Sequence, residues 1–304
     1  MLFRIRYTTR YVYDEPAYDS QNDARLAPND GPGQRCLAFK LAVDPSAQIA
    51  EYKDPFGNRA HAISIKPPHR KLVIVADSMV ERFALPAEQT QHMTFATYLS
   101  EDESRTTQYR DFLNSSQYVP FSPRLRKFFW SARPQMSEDV ANYASRVIES
   151  IRDQFGYDRA TTHVHSTVDD ILSAGGGVCQ DFAHLTIGLF RLAGIPVRYV
   201  SGYLALDAAN DPKAPPPELA SHAWIEILLP GAGWTGFDPT HRTPTTLRHI
   251  RVAIGRDYSD VAPIRGFYQT AGGRQMMSYE LEVREASGQE QDWEHLAVPV
   301  ERLR

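Results

Sequence analysis

The chain has 304 residues, of which 42% are hydrophobic, 11% aromatic and 23% charged. These values are ordinary for a globular protein of about two domains, and they exclude disordered, collagen-like and coiled-coil chains. The formal net charge of −4 provides no strong basic field, which argues against nucleic acid as a partner.

Cysteine usage and the opening segment indicate where the protein works. Two cysteines, Cys36 and Cys179, are too few for a disulfide framework or a zinc knuckle and are typical of a reducing compartment. Arginines at positions 4, 6 and 10 interrupt any signal-like apolar run. No apolar stretch approaches the roughly 20 residues that a bilayer-crossing helix needs. We therefore expect a cytoplasmic protein with no membrane partner.

Residues 1–90 have the pattern of a β-rich accessory domain. Phe3, Ile5 and Tyr7 alternate with polar residues, as in a half-buried strand. Asp-Pro-Phe-Gly-Asn at 54–58 is a strong turn between further strand-like runs. Several short strands separated by turns predict a small sandwich or a partly open barrel.

Residues 91–133 contain recurring prolines and indicate a connecting segment, before a second domain at 134–250. Ser137, followed by two acidic residues, is typical of a helix N-cap, and the apolar spacing that follows predicts a helix ending near Gly156 in a left-handed cap. A second predicted helix follows the three glycines at 175–177 and stops at Gly194.

Strands are predicted after the second helix and again near the end of the chain. The runs are 197–203, 222–229, 234–238 and 278–284, the last within an expected C-terminal extension at 251–304. Between the first two runs, the proline-rich segment 207–219 is either a lid beside a cleft or a plain surface connection.

Cys179 lies at the predicted start of the second helix, directly after the glycines. Free backbone N–H groups and the helix dipole stabilise a thiolate at such a position, and the same N–H groups can hold an oxyanion. A lone cysteine is more often a small buried apolar residue, so Cys179 needs partners before it indicates catalysis.

His222 and Asp238 are the candidate partners of Cys179. They lie on consecutive predicted strands, where an odd number of loop residues would place them on one face of a hairpin and an even number on opposite faces. The alternatives are a bystander histidine and a turn aspartate before Pro239. Asp181 and Asp257 are rival carboxylates, and Asp181 is disfavoured because a nearby negative charge opposes a thiolate.

Other candidate residues have simpler interpretations. His163 and His165 have a spacing that a metal ion can use, but no neighbouring residue completes a ligand set. His184 lies about 140° around the helix from Cys179 and is expected to pack. Cys36 is expected to lie in the core. We see no clustered carboxylates that would predict a calcium site.

Four ordered motifs resemble one family. The run 177–185 (GVCQDFAHL) resembles the nucleophile motif of bacterial transglutaminase-like cysteine peptidases, a branch of the papain-like fold. The stretches 194–203, 221–224 and 233–240 match the family in order, and 252–261 is similar to the segment that follows its aspartate. The β-rich first third is similar to the accessory region of the bacterial members.

The resemblance implies an α+β fold, in which the helix carrying Cys179 packs on an antiparallel sheet beside an N-terminal β-sandwich-like domain. By the same resemblance, Cys179 is the nucleophile, His222 the base and Asp238 the orienting carboxylate. We expect no cofactor and no metal. The implied substrate is a peptide, protein or small amide, and no oligomeric state is implied.

The implied chemistry is thiol-dependent acyl transfer through a thioester. Peptide or isopeptide hydrolysis is the expected outcome, and transfer to an amine, as in a transglutaminase, is the alternative. A non-catalytic binding scaffold is the alternative from a different class of protein. The motifs place no side-chain oxyanion donor.

Overall fold

The computed structural model describes residues 1–85, 91–100, 106–205 and 221–286. Within these ranges the chain forms a curled N-terminal antiparallel sheet and a mixed core of helices on a second antiparallel sheet. The α+β fold expected from the sequence is confirmed. The segment 207–219 lies outside the described residues.

The N-terminal sheet is built on one long strand, β1. Its apolar positions alternate as predicted, with Phe3, Ile5 and Tyr7 all buried. The sheet follows the order β2-β5-β1-β4-β3. The bounds are β1 (Leu2–Ala24), β2 (Gln34–Asp44), β3 (Gln48–Lys53), β4 (Arg59–Ile65) and β5 (His69–Arg82).

The core packs its helices on a sheet of order β11-β10-β9-β8-β12, and a small parallel pair, β6-β7, lies beside it. The helices are α1 (Phe95–Ser100), a 3₁₀ turn (Arg110–Phe112), α2 (Pro123–Ala132), α3 (Val140–Gln154), α4 (Val168–Ala174), α5 (Cys179–Leu192) and α6 (Tyr258–Val261). The strands are β6 (Gly156–Tyr157), β7 (Gly176–Gly177), β8 (Val197–Leu204), β9 (Ser221–Leu229), β10 (Gly233–Asp238), β11 (Thr243–Pro244) and β12 (His249–Gly255).

The remaining strands, β13 (Ile264–Gln269) and β14 (Gln275–Glu285), return to the N-terminal sheet. Both pair antiparallel with β1, and β14 runs from Phe3↔Glu285 to Tyr13↔Gln275. The strand predicted at 278–284 is therefore present as part of the first sheet. The expected boundary between 250 and 251 falls inside β12, which belongs to the core sheet.

The first long helix differs from the prediction at both ends. Its N-cap is Asp139, not Ser137, because the Asp139 carboxylate accepts the N–H groups of Ala141 at 2.9 Å and Asn142 at 3.2 Å. Gly156 does not form a left-handed cap and instead begins β6. The left-handed cap occurs at Gly175, with φ of 74°, at the end of α4.

The Cys179 helix is anchored by apolar packing on β9. Phe182, Leu185 and Leu189 are fully buried in one core cluster with Ile225 and Ile227. Burying a side chain of this size stabilises the fold by about 1.5–3 kcal/mol. The helix N-terminus is therefore held in a fixed position over the sheet. None of the helices in the described ranges combines the length and hydropathy needed to span a bilayer.

Two amide side chains hold the N-terminal sheet against the core. Gln34 donates to the carbonyl of Arg251 at 2.7 Å and accepts its N–H at 2.8 Å. Asn58 makes the same pair of bonds with the backbone of Ile254, at 2.7 and 2.8 Å. These bonds satisfy backbone groups on the outer edge of β12 and fix one face of the N-terminal sheet beside Cys179.

Candidate active site

Cys179 is the first residue of α5 and is partly exposed. The carboxylate of Asp181 turns back to accept the N–H of Val178 at 2.8 Å and also accepts the hydroxyl of Thr162. A Cβ at Gly177 would lie 2.4 Å from this carboxylate, so the turn requires glycine. Asp181 is therefore engaged in capping the helix, and the sulfur of Cys179 faces a cleft.

His222 and Asp238 lie on the same face of the core sheet. Leu229 pairs with Gly233, so the β9–β10 loop has an odd number of residues, and the condition set by the sequence is met. Phe237 pairs with Ile225, which places Asp238 diagonal to His222. His222 Nε2 lies 2.7 Å from Asp238 Oδ2, close enough for a strong charge-assisted hydrogen bond.

Asp238 is surrounded by two further histidines that the sequence analysis did not identify. His241 Nδ1 lies 2.7 Å and His249 Nε2 3.1 Å from the same carboxylate oxygen, Oδ2. The other oxygen accepts the N–H groups of Thr240 at 2.9 Å and His241 at 3.3 Å. Burial opposes ionisation of the fully buried Asp238, but the three imidazoles outweigh it and hold its pKa well below the usual range.

The surroundings of His222 favour its protonated form. Burial alone would lower the pKa of His222, but its interactions with Asp238 and with the sulfur of Cys179 raise it to about 10. Its neighbour His249 has a lowered pKa because burial outweighs the attraction of Asp238. Of these two histidines, His222 is therefore the one whose surroundings favour the imidazolium.

The cleft at Cys179 has a volume of about 260 Å³. The core supplies one wall, which includes Cys179, His222 and Tyr199. The other wall comes from β1 and β14 of the N-terminal sheet. Burial raises the pKa of Tyr199 well above its usual value, so this phenol is a neutral hydrogen-bond donor beside the sulfur.

The other sequence candidates lie apart from this cluster. Asp257 is fully buried, accepts the N–H of Tyr118 and caps α6. His184 is fully buried and accepts the N–H of Tyr258 at 3.2 Å. Cys36 is half-buried on β2, and burial raises its pKa to about 11.

Among the described residues, the group with metal-ligand geometry is His222, Asp238 and His241, whose ligand atoms lie within 4.8 Å of one another. His163 and His165 are not part of it; His165 Nδ1 lies 3.0 Å from the hydroxyl of Tyr118. A metal ion bound by His222, Asp238 and His241 would compete with the hydrogen bond between Asp238 and His222 that orients the imidazole.

Comparison with known proteins identifies the family of this chain. Residues 3–81 match the model of the bacterial transglutaminase-like N-terminal region, and residues 132–239 match that of the transglutaminase-like superfamily. A thiol, an imidazole and a buried carboxylate on a helix and two adjacent strands define a candidate thiol enzyme. The chain belongs to the transglutaminase-like superfamily.

One similar protein and one solved structure cover most of the chain, and a third protein matches a short part of it. An uncharacterized protein of Mycobacterium leprae (strain TN) is 33% identical over 271 residues, which are 88% of this chain and 94% of that protein. A protein-glutamine gamma-glutamyltransferase of Pseudomonas aeruginosa is 36% identical over 78 residues, 25% of this chain and 12% of that protein. The crystal structure of a candidate cysteine protease from Cytophaga hutchinsonii has the same fold, with a TM-score of 0.73, 23% identity, and coverage of 93% of this chain and 90% of that one.

Proposed function

We propose that this protein is a thiol-dependent enzyme that hydrolyses peptide or isopeptide bonds, with Cys179 as nucleophile, His222 as acid–base and Asp238 as orienting carboxylate. One observation carries the proposal: His222 lies between the sulfur of Cys179 and a fully buried carboxylate 2.7 Å from its Nε2. That arrangement matches the parts needed for nucleophilic catalysis by a thiolate.

The reaction begins with His222 as imidazolium, the form that its raised pKa favours, and the attacking form of Cys179 is the thiolate, as for any thiol nucleophile. The sulfur attacks the amide carbonyl carbon, and the carbonyl electrons move onto oxygen. Collapse of this intermediate breaks the C–N bond while His222 gives its proton to the leaving amine. Water, deprotonated by His222, then attacks the thioester, releases the carboxylate and restores the thiolate.

The oxyanion needs donors at the helix N-terminus. Backbone N–H groups in the first turn of a helix have no intrahelical partner, and the N–H of Cys179 is among them. Tyr199 lines the same cleft and has a neutral phenol. We assign the second donor role, which the motifs left open, to the hydroxyl of Tyr199.

Transfer of the acyl group to an amine is the second candidate function. It is favoured by the similarity over 78 residues to the protein-glutamine gamma-glutamyltransferase of Pseudomonas aeruginosa. In that reaction a primary amine takes the place of water in the second step. Incubating the protein with a peptide library and a primary amine distinguishes the two, because both reactions release the same leaving group and the acyl product of transfer is heavier than that of hydrolysis by the mass of the amine minus that of water.

Thiol labelling tests the proposal. A chloroacetamide probe at neutral pH should label Cys179 faster than Cys36, because burial raises the pKa of Cys36 to about 11 whereas Cys179 interacts with the imidazole of His222. Peptide mapping by mass spectrometry measures both sites in one sample, so Cys36 is an internal control. The His222→Ala variant should lose the fast reaction at Cys179. Slow and equal labelling of both thiols would overturn the enzyme and support a binding scaffold.

A further inference from the structure

One face of the paired strands β1 and β14 passes from the protein core into the cleft. The register pairs Tyr7 with Leu281, Thr9 with Tyr279 and Tyr11 with Met277. Alternate residues of a strand share a face, so all six side chains lie on one side of the sheet.

This face becomes more exposed along β14. Leu281 is 6% exposed and belongs to the core of the N-terminal domain, whereas Tyr279 is 43% and Met277 56% exposed. Tyr279 stacks on Tyr7 with ring centroids 5.8 Å apart and planes 11° apart. Large apolar side chains left open beside a cleft are typical of a ligand-binding surface.

Apart from the pair Cys179 and His222, the described residues that line the cleft carry no charged side chain. None of the described residues that line the cleft is Asp, Glu, Lys or Arg. Aromatic rings and hydroxyl groups are contributed by Tyr7, Tyr11, Tyr199 and Tyr279. Burial raises the pKa of Tyr7 and of Tyr11, so these phenols are neutral. A charged side chain entering this cleft away from Cys179 and His222 would lose hydration without gaining an ionic partner, whereas an aromatic one would gain stacking contacts.

We propose that Tyr7, Tyr11, Met277 and Tyr279 form a subsite that binds an uncharged aromatic side chain next to the amide attacked by Cys179. This inference rests on the proposed thiol chemistry. The cleft volume of about 260 Å³ is slightly below the range of roughly 300–1,000 Å³ that holds a whole drug-sized ligand. It therefore suits one large side chain with its flanking amide.

Probes that differ only in the side chain test the subsite. Chloroacetyl-phenylalanine amide, chloroacetyl-aspartate amide and chloroacetyl-lysine amide would be compared with iodoacetamide, which has no side chain, for the rate of labelling of Cys179. We expect the wild type to react fastest with the phenylalanine probe. Aromatic contacts are worth about 0.5–1.5 kcal/mol, so Tyr279→Ala should reduce the second-order rate constant for that probe roughly 2- to 12-fold, and Met277→Ala should also reduce it.

Met276→Ala is the matched control. Met276 neighbours Met277 on β14, pairs with Val12, is 61% exposed and projects from the opposite face of the sheet. It should leave all rates unchanged, and no variant should change the rate with iodoacetamide. Equal rates for the three side chains in the wild type, or equal effects of Met276→Ala and Met277→Ala, would overturn the subsite. If Cys179 of the wild type reacted with iodoacetamide no faster than Cys36, that result would instead overturn the proposed function.

Discussion

Replacing Asp238 by asparagine should change the charge of His222 with little change in shape. The two backbone N–H groups at Oδ1 favour the amide oxygen at that position. The amide NH₂ then faces the three imidazole nitrogens that now lie 2.7, 2.7 and 3.1 Å from Oδ2, and it cannot accept a proton from any of them.

The magnitude follows from the hydrogen bond that is lost. A bond to a charged group contributes about 1.5–3 kcal/mol, and one pKa unit corresponds to about 1.4 kcal/mol. The pKa of His222 should therefore fall by about one to two units from its value of about 10. Breaking a buried charge pair costs about 3–5 kcal/mol, so the free energy of unfolding at pH 7 should also fall by about that amount.

The pH dependence of stability should move with this pKa. Because the folded-state pKa of His222 is raised, its contribution is complete below the unfolded value of about 6.5 and is lost as the pH rises through the folded value. In Asp238→Asn that loss should be complete about one to two pH units earlier. Denaturant unfolding at several pH values between 6 and 11 measures it.

Histidine-selective NMR measures the titration itself, with the His222 signal assigned from His222→Ala. The matched control is Asp257→Asn, which also neutralises a fully buried, hydrogen-bonded carboxylate of the core. We expect this variant to lose stability but to leave the titration of His222 in place. If His222 titrated at the same pH in Asp238→Asn as in the wild type, or if Asp257→Asn moved it as far, the reasoning would be refuted.

Two further substitutions test the oxyanion assignment and the packing of α5. Tyr199→Phe should lower kcat by roughly 10²–10³-fold, the usual effect of removing one oxyanion donor. Tyr203→Phe is the control, because Tyr203 is on the same strand but belongs to the core of the N-terminal domain, and it should leave kcat unchanged. Equal effects of the two substitutions would contradict the role of Tyr199. Phe182→Ala should reduce the free energy of unfolding by about 3–5 kcal/mol, and Phe267→Ala, at a residue that is 69% exposed, should change it by less than about 0.5 kcal/mol; denaturant titration compares the two.

The relation of His222 to Asp238 was within reach of the sequence because it depends on local geometry. The two strands are consecutive in the chain. Whether their loop has an odd or an even number of residues decides whether His222 and Asp238 lie on one face of the hairpin or on opposite faces, and the number is odd. The Asp139 cap was missed for an equally local reason. Three adjacent residues, Ser137 to Asp139, could all start the helix, and only the backbone geometry selects the one whose carboxylate reaches the free N–H groups.

The rest of the site depends on contacts between distant segments. In the core sheet, β9 and β8 lie between β10 and β12, yet His249 at the start of β12 lies 3.1 Å from Asp238 at the end of β10. No spacing in the sequence indicates this contact. The wall of the cleft that comes from β1 and β14 forms only when these two strands, from opposite ends of the sequence, pair with each other. A pattern of alternating residues predicts each strand but not the strand with which it pairs, so the cleft could not be predicted from the sequence.

The pairing of β1 with β14 also has a consequence for the order in which the molecule is assembled. Residues near position 3 must find residues near position 285, a separation that makes contact formation slow. During synthesis the segment bearing the sulfur, imidazole and carboxylate leaves the ribosome before β14 exists. If the proposed roles hold, Cys179 is made before the strand that carries Met277 and Tyr279, and removal of β14 by proteolysis would leave the sulfur without that part of the subsite.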